Sequence, residues 1–147
     1  MTVKRQKGFT LVELVVTLII IALVAAVSGP LFFDVDVFRQ RGFFEETISA
    51  VRYAQKHAVA TNCNVRVNIT ATGFTLFRAA NVGACGTGTY NTDVVDPSSG
   101  APTFTRIAPD GVALTPTDII FSGNGQASAT VNVTVGGRTF QVVAGTG

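Results

Sequence analysis

Lys7-Gly8-Phe9-Thr10-Leu11-Val12-Glu13-Leu14 opens a run that carries no charged side chain from Leu14 to Phe33. A bilayer core takes about 20 mostly apolar residues in helical form, and this run has that length. Lipid cannot satisfy free backbone groups, so a helix is the expected state from Phe9 to Phe33. Met1 to Gly8 is short and basic, with Lys4, Arg5 and Lys7. A secretory signal places its cleavage site after its apolar core; here the punctuation, Gly8, comes before it. A cut after Gly8 leaves the apolar helix attached to the mature chain. Glu13 is the second departure from an ordinary anchor. A carboxylate inside a span is costly and takes a partner. The α-amino group that such a cut frees on Phe9 supplies one, on a neighbouring helix of the same or a related chain.

Joined to this apolar run, the motif from Lys7 to Leu14 resembles the cleavage and methylation signature of type IV prepilins and type II secretion pseudopilins. The resemblance implies that prepilin peptidase, a dedicated membrane enzyme, cuts between Gly8 and Phe9. It implies that Phe9 is then N-methylated and that Glu13 guides subunit assembly. The expected organisation is a leader at 1–8, a transmembrane and assembly helix at 9–33 and a periplasmic pilin-like domain at 34–147. A plain signal anchor is the competing reading, and it leaves Glu13 and Gly8 without a role.

Charge follows the same division. The chain has 11 Lys and Arg against 9 Asp and Glu; three of the bases and none of the acids precede Phe9. Basic residues beside a span stay cytoplasmic, so the domain is expected outside the inner membrane. Cys63 and Cys85 both fall in that exported part. Two cysteines allow one pairing, and the compartment is oxidising. Such a bridge is worth about 3 kcal/mol on the chain-entropy model; two separate buried thiols are the alternative. Their spacing, with His57 as the sole histidine, does not suit structural zinc.

Pro30 removes a helical hydrogen bond and Gly29 softens the same place, so a bend or break is expected there. From Phe38 the pattern becomes helical again to about Thr61. Phe44, Ile48, Val51, Ala54 or Ala58, and Val59 form the expected apolar face. Arg41 and Glu45, four apart, suit a weak pair. Asn64–Ile69 and Phe74–Arg78 read as a hairpin around Thr72-Gly73. Short strands follow at 103–107 and 118–121. Ser128–Val135 and Arg138–Val143 flank Gly136-Gly137, a strong two-residue turn. The fold expected is α+β: a long N-terminal helix, its membrane half and amphipathic half meeting near Pro30, packed on a mostly antiparallel sheet.

Phe121-x-Gly123-x-Gly125, the Val/Thr strand and the Gly-Gly hairpin resemble the C-terminal pattern of H-type minor pseudopilins and of minor pilins of the mannose-sensitive haemagglutinin class. So does Arg52-Tyr53-Ala54-Gln55 with the Cys-bearing strand after it. The resemblance implies a structural subunit whose partners are other pilin or pseudopilin subunits, prepilin peptidase, the inner membrane and the pilus or secretion assembly machinery. No cofactor, metal or catalytic residue is expected. A second reading is a DNA-binding minor pilin of a DNA-uptake pilus. Phosphate binding needs a basic surface, yet from Asp34 onward eight bases meet eight acids without a cluster, so nucleic acid is not expected. His57 reads as a packing residue, and Asp93, Asp96 and Asp110 as solvated loop carboxylates.

Overall fold

The computed structural model describes residues 8–32, 35–80, 85 and 89–146, with 27–32 in backbone alone. Two compact units divide the chain, 1–35 and 36–147. The first holds helix α1, Leu11–Phe32. It continues through Gly29 and Pro30 without interruption. A proline close to a helix end removes one hydrogen bond and leaves the preceding turns intact. Residues 33–34, between α1 and the next helix, lie outside the described residues.

The second unit is an α+β fold. Helix α2 spans Val35–Thr61, starting three residues before the expected Phe38. It ends as its sequence directs. Asn62 takes a left-handed backbone, φ 50°. Cys63 N–H donates to Ala58 O at 3.2 Å and Asn62 N–H to Val59 O at 3.3 Å. This pair of bonds is a Schellman cap, and it satisfies carbonyls that the helix leaves open.

Strands β1 (Val65–Thr70) and β2 (Gly73–Ala79) form the expected hairpin. The others are β3 (Tyr90–Asp93), β4 (Thr105–Ile107), β5 (Thr117–Phe121), β6 (Val131–Val135) and β7 (Arg138–Val142). The main sheet runs β3-β2-β1-β5, with β4 also on β2; β6 and β7 form a second, two-stranded sheet. All named pairings are antiparallel. Gly136 and Gly137 have φ of 56° and 78°, the left-handed pair that lets a two-residue turn match the twist of β6 and β7. β3 did not announce itself in sequence, because none of its four side chains is buried and so it shows no apolar alternation.

The core lies between α2 and the sheets. Val65, Val67, Leu76, Phe121, Val133 and Val135 are fully buried there. The buried face of α2 is Phe43, Thr47, Ala50, Val51, Ala54 and Ala58, which agrees with the expected one at Val51, Ala54 and Ala58 and corrects it at Phe44, Ile48 and Val59. Phe44 and Ile48 are half-buried and Val59 is 52% exposed. The face is turned by about one residue from the expected one: Phe43 points inward, its ring 5.9 Å from that of Phe74 on β2, and places Phe44 and Ile48 at the margin of the contact. Thr47 enters this apolar face because its hydroxyl donates to Phe43 O at 2.8 Å. Phe44 packs edge-on to Phe140. The expected Arg41–Glu45 pair does not form, and the ion pair at this end of α2 is Arg39–Asp36 at 3.7 Å.

Candidate functional site

Gly8, Phe9 and Thr10 precede α1 in extended, exposed chain. Thr10 caps the helix: its Oγ1 accepts from Glu13 N–H at 3.3 Å and its carbonyl from Leu14 N–H at 3.1 Å. The cap explains why the helix begins at Leu11, just past the proposed cut. Glu13 therefore sits in the first turn, where the helix dipole favours negative charge. It is exposed, and no cation pairs with it among the described residues.

Around Glu13 the helix is apolar on every side. Each large apolar side chain from Phe9 to Val24 is at least 45% exposed. A helix of this kind is stable in a membrane or inside an assembly rather than in water. Among the described residues no helix is both long and apolar enough to cross a membrane. The described side chains of α1 stop at Ala26, so the expected span to Phe33 extends outside them.

In the second unit, Cys63 and Cys85 are joined as a disulfide. Asn64 N–H donates to Cys85 O at 2.8 Å, so the β2–β3 connection is fastened to the α2–β1 junction by a covalent bond and a hydrogen bond together.

Asp96 corrects the reading of it as a solvated loop acid. It is 2% exposed. Its carboxylate accepts from Arg106 Nη1 at 2.8 Å, from Ser98 N–H and Oγ at 2.8 and 2.7 Å and from Ser99 Oγ at 2.8 Å. These bonds hold its carboxyl well below the usual carboxylate range, the Arg106 bond first and the Ser98 hydroxyl next, against an opposing push from burial. Arg106 Nε also donates to Glu46 of α2 at 2.6 Å, and its guanidinium lies 4.9 Å from the centre of the Phe104 ring. The Glu46–Arg106–Asp96 chain thus clamps helix, strand and loop. The sequence signal for it was faint: Asp-Pro-Ser-Ser is an Asx-turn composition, but the partners are distant in sequence. Asp93 accepts from Thr103 Oγ1 at 3.2 Å, and Asp110 is exposed.

His57 is half-buried beside Tyr53, ring centres 5.7 Å apart. Burial and then the Arg78 charge lower its pKa. It acts as a packing residue, as its place on the helix implied. Among the described residues, three of the eight cations after Asp34 are engaged in ion pairs: Arg39 with Asp36, Arg66 with Asp118 at 3.9 Å, and Arg106. This arrangement gives nucleic-acid binding no specific support.

Comparison with known families covers both units. The prokaryotic N-terminal methylation motif matches residues 3–29. The family described as type II transport protein GspH matches residues 44–143, more than half of the chain. No curated protein matches the chain, and no solved structure does. Of the two subclasses that the C-terminal pattern resembles, the H-type pseudopilin is the one this match fits. The family is structural rather than enzymatic; its members are processed by prepilin peptidase, anchored at the inner membrane and assembled with other pilin-like subunits. With a methylation motif ahead of a capped apolar helix and a disulfide-bonded α+β domain behind it, the chain belongs to the GspH family of pseudopilins, structural subunits of the type IV pilin and type II transport class.

Proposed function

We propose that this chain is an H-type minor pseudopilin, cut after Gly8, N-methylated on Phe9 and held in the inner membrane by residues 9–33 until it joins a type II secretion pseudopilus. Residues 34–147 then lie in the periplasm, because Lys4, Arg5 and Lys7 of the leader stay on the cytoplasmic side. The observation that carries this reading is the exposure of every large apolar side chain from Phe9 to Val24. A bilayer covers such a surface before assembly, and the stacked helices of neighbouring subunits cover it afterwards. In either setting an unpaired Glu13 costs several kcal/mol. The methylated ammonium of Phe9 on an adjoining subunit offsets that cost and sets the axial register of docking.

The test is Glu13→Val in the native host. The variant is expected to enter the membrane and to be cut, yet to be missing from the fibre. Normal incorporation would overturn the docking role. Intact mass of the mature protein checks processing separately: it should begin at methylated Phe9, and a chain that still begins at Met1 would overturn the cleavage assignment.

A further inference from the structure

Two hollows run end to end along one flank of α2, entirely within the second unit. One, of 270 Å³, lies between α2 and β7, with Val51 and Phe140 in its walls and Arg52 and Gln141 at its rim. The other, of 520 Å³, lies between the last turns of α2 and the 124–126 turn, with Lys56 and the exposed Val59 on its helix side. Gln55 lines both. Its Nε2 donates to Gly125 O at 2.9 Å and Thr146 O at 3.0 Å, which fixes the floor where they meet.

Three features of this cleft point the same way. Arg52 and Lys56, one helical turn apart, are both exposed and form no ion pair among the described residues. Among the described residues no carboxylate side chain lines either hollow. β7 is paired on one side, by β6; among the described residues its other edge carries no ladder over Arg138–Val142, and is met only just beyond, where Gly145 N–H donates to Ala127 O at 3.1 Å. An unladdered edge presents backbone donors and acceptors to an incoming extended chain, and two uncompensated cations beside it select negative charge.

We propose that this cleft receives an extended acidic segment of a different subunit of the same fibre. The segment pairs with the free edge of β7, seats an apolar side chain against Val51 and Phe140, and sets its carboxylates toward Arg52 and Lys56. The proposal rests on the fibre-subunit reading above. It adds to the stacking of α1 a lateral contact between periplasmic domains, with a defined polarity of charge.

The experiment uses the full-length chain expressed in its host, with the photo-crosslinking residue p-benzoylphenylalanine placed at Val59, exposed on the helix side of the cleft, or, in a parallel strain, at Ile19 of α1. The Val59 probe should capture another fibre subunit, with the crosslink mapped by mass spectrometry to a stretch rich in Asp or Glu. Combined Arg52→Glu and Lys56→Glu changes should lower that yield about tenfold, as loss and reversal of two rim charges implies, and leave the Ile19 crosslink unchanged. Both positions are exposed, so folding is checked simply, by retention of the Cys63–Cys85 bridge. Capture of a second copy of this chain, of a basic or helical segment, or of nothing at Val59 while Ile19 still crosslinks, would overturn the cleft and leave the fibre reading standing. Failure at both positions would overturn both.

Discussion

Gly73 is the position where the smallest change should do the most. It opens β2 opposite Ile107 of β4, with φ +155°. A Cβ built there lands well inside contact distance of the Arg106 carbonyl oxygen and 3.1 Å from Ile107 Cα. Both neighbours are backbone, so no side chain can swing aside. To restore an ordinary carbon–oxygen separation, β4 has to retreat by on the order of 1 Å. That movement disrupts the Gly73–Ile107, Phe74–Arg106 and Thr75–Thr105 pairings and the 2.9 Å bond from Ala108 N–H to Thr72 O. It also drags Arg106 from Glu46 and Asp96. Overpacking costs about 1–3 kcal/mol, and holding alanine at a positive φ adds about 1–2 kcal/mol. Gly73→Ala should therefore destabilise the second unit by about 2–5 kcal/mol, a fall in Tm on the order of 10 °C or more. Tyr53 and Tyr90, the two tyrosines, both lie in that unit, so near-UV circular dichroism of the full chain in detergent follows its unfolding. A Tm within about 3 °C of the parent would refute the reasoning, since it would mean that β4 moves freely.

Gly42→Ala should have the opposite sign. A Cβ there meets nothing, and removing a glycine from the body of α2 should stabilise by about 0.5–1 kcal/mol in the same melting assay. The Asp96 carboxyl has a pKa lowered on folding. Its contribution is therefore complete above the unfolded value, about 3.9, and is lost as pH falls toward the folded one. Asp96→Asn should be less stable at pH 7 and should show a shallower loss of stability between pH 4 and 2; equal slopes in urea titrations would remove Asp96 from the acid response. Reducing Cys63–Cys85, which are 22 residues apart, should cost about 3 kcal/mol, read as a lower urea midpoint with dithiothreitol, and Cys63→Ser should be insensitive to the reductant.

The elements that could be read from sequence are those whose signal is local. Gly136-Gly137 requires a turn whatever surrounds it, and Val65, Val67 and Ile69 alternate because one face of β1 is buried. The uncharged run from Leu14 onward likewise specifies α1 from within. What was misread depends on distant partners. The inward face of α2 is chosen by which side chains meet the sheet, so Phe43 and Thr47 took the buried places expected of Phe44 and Ile48, while Val51, Ala54 and Ala58 face inward as expected. β3 exists because β2 offers it an edge. Asp96 looked like any loop acid until Arg106, which follows it by ten residues, and Glu46, far upstream, were brought beside it.

Parts of the sheet faces turned away from α2 carry polar side chains that bind one another, beside apolar groups such as Ile107, which is 80% exposed. Asn68 donates to Asp118 at 2.7 Å, Thr75 meets Thr105, Thr134 meets Thr139 at 2.9 Å, and Gln141 donates to Asn132 at 2.9 Å. Groups already satisfied gain little from an outside molecule, because each new bond displaces an existing one. Such a patch of satisfied groups is non-stick. In a crowded envelope it keeps stray encounters brief and leaves the orientation of lasting contact to the few regions of the molecule whose groups remain unspent.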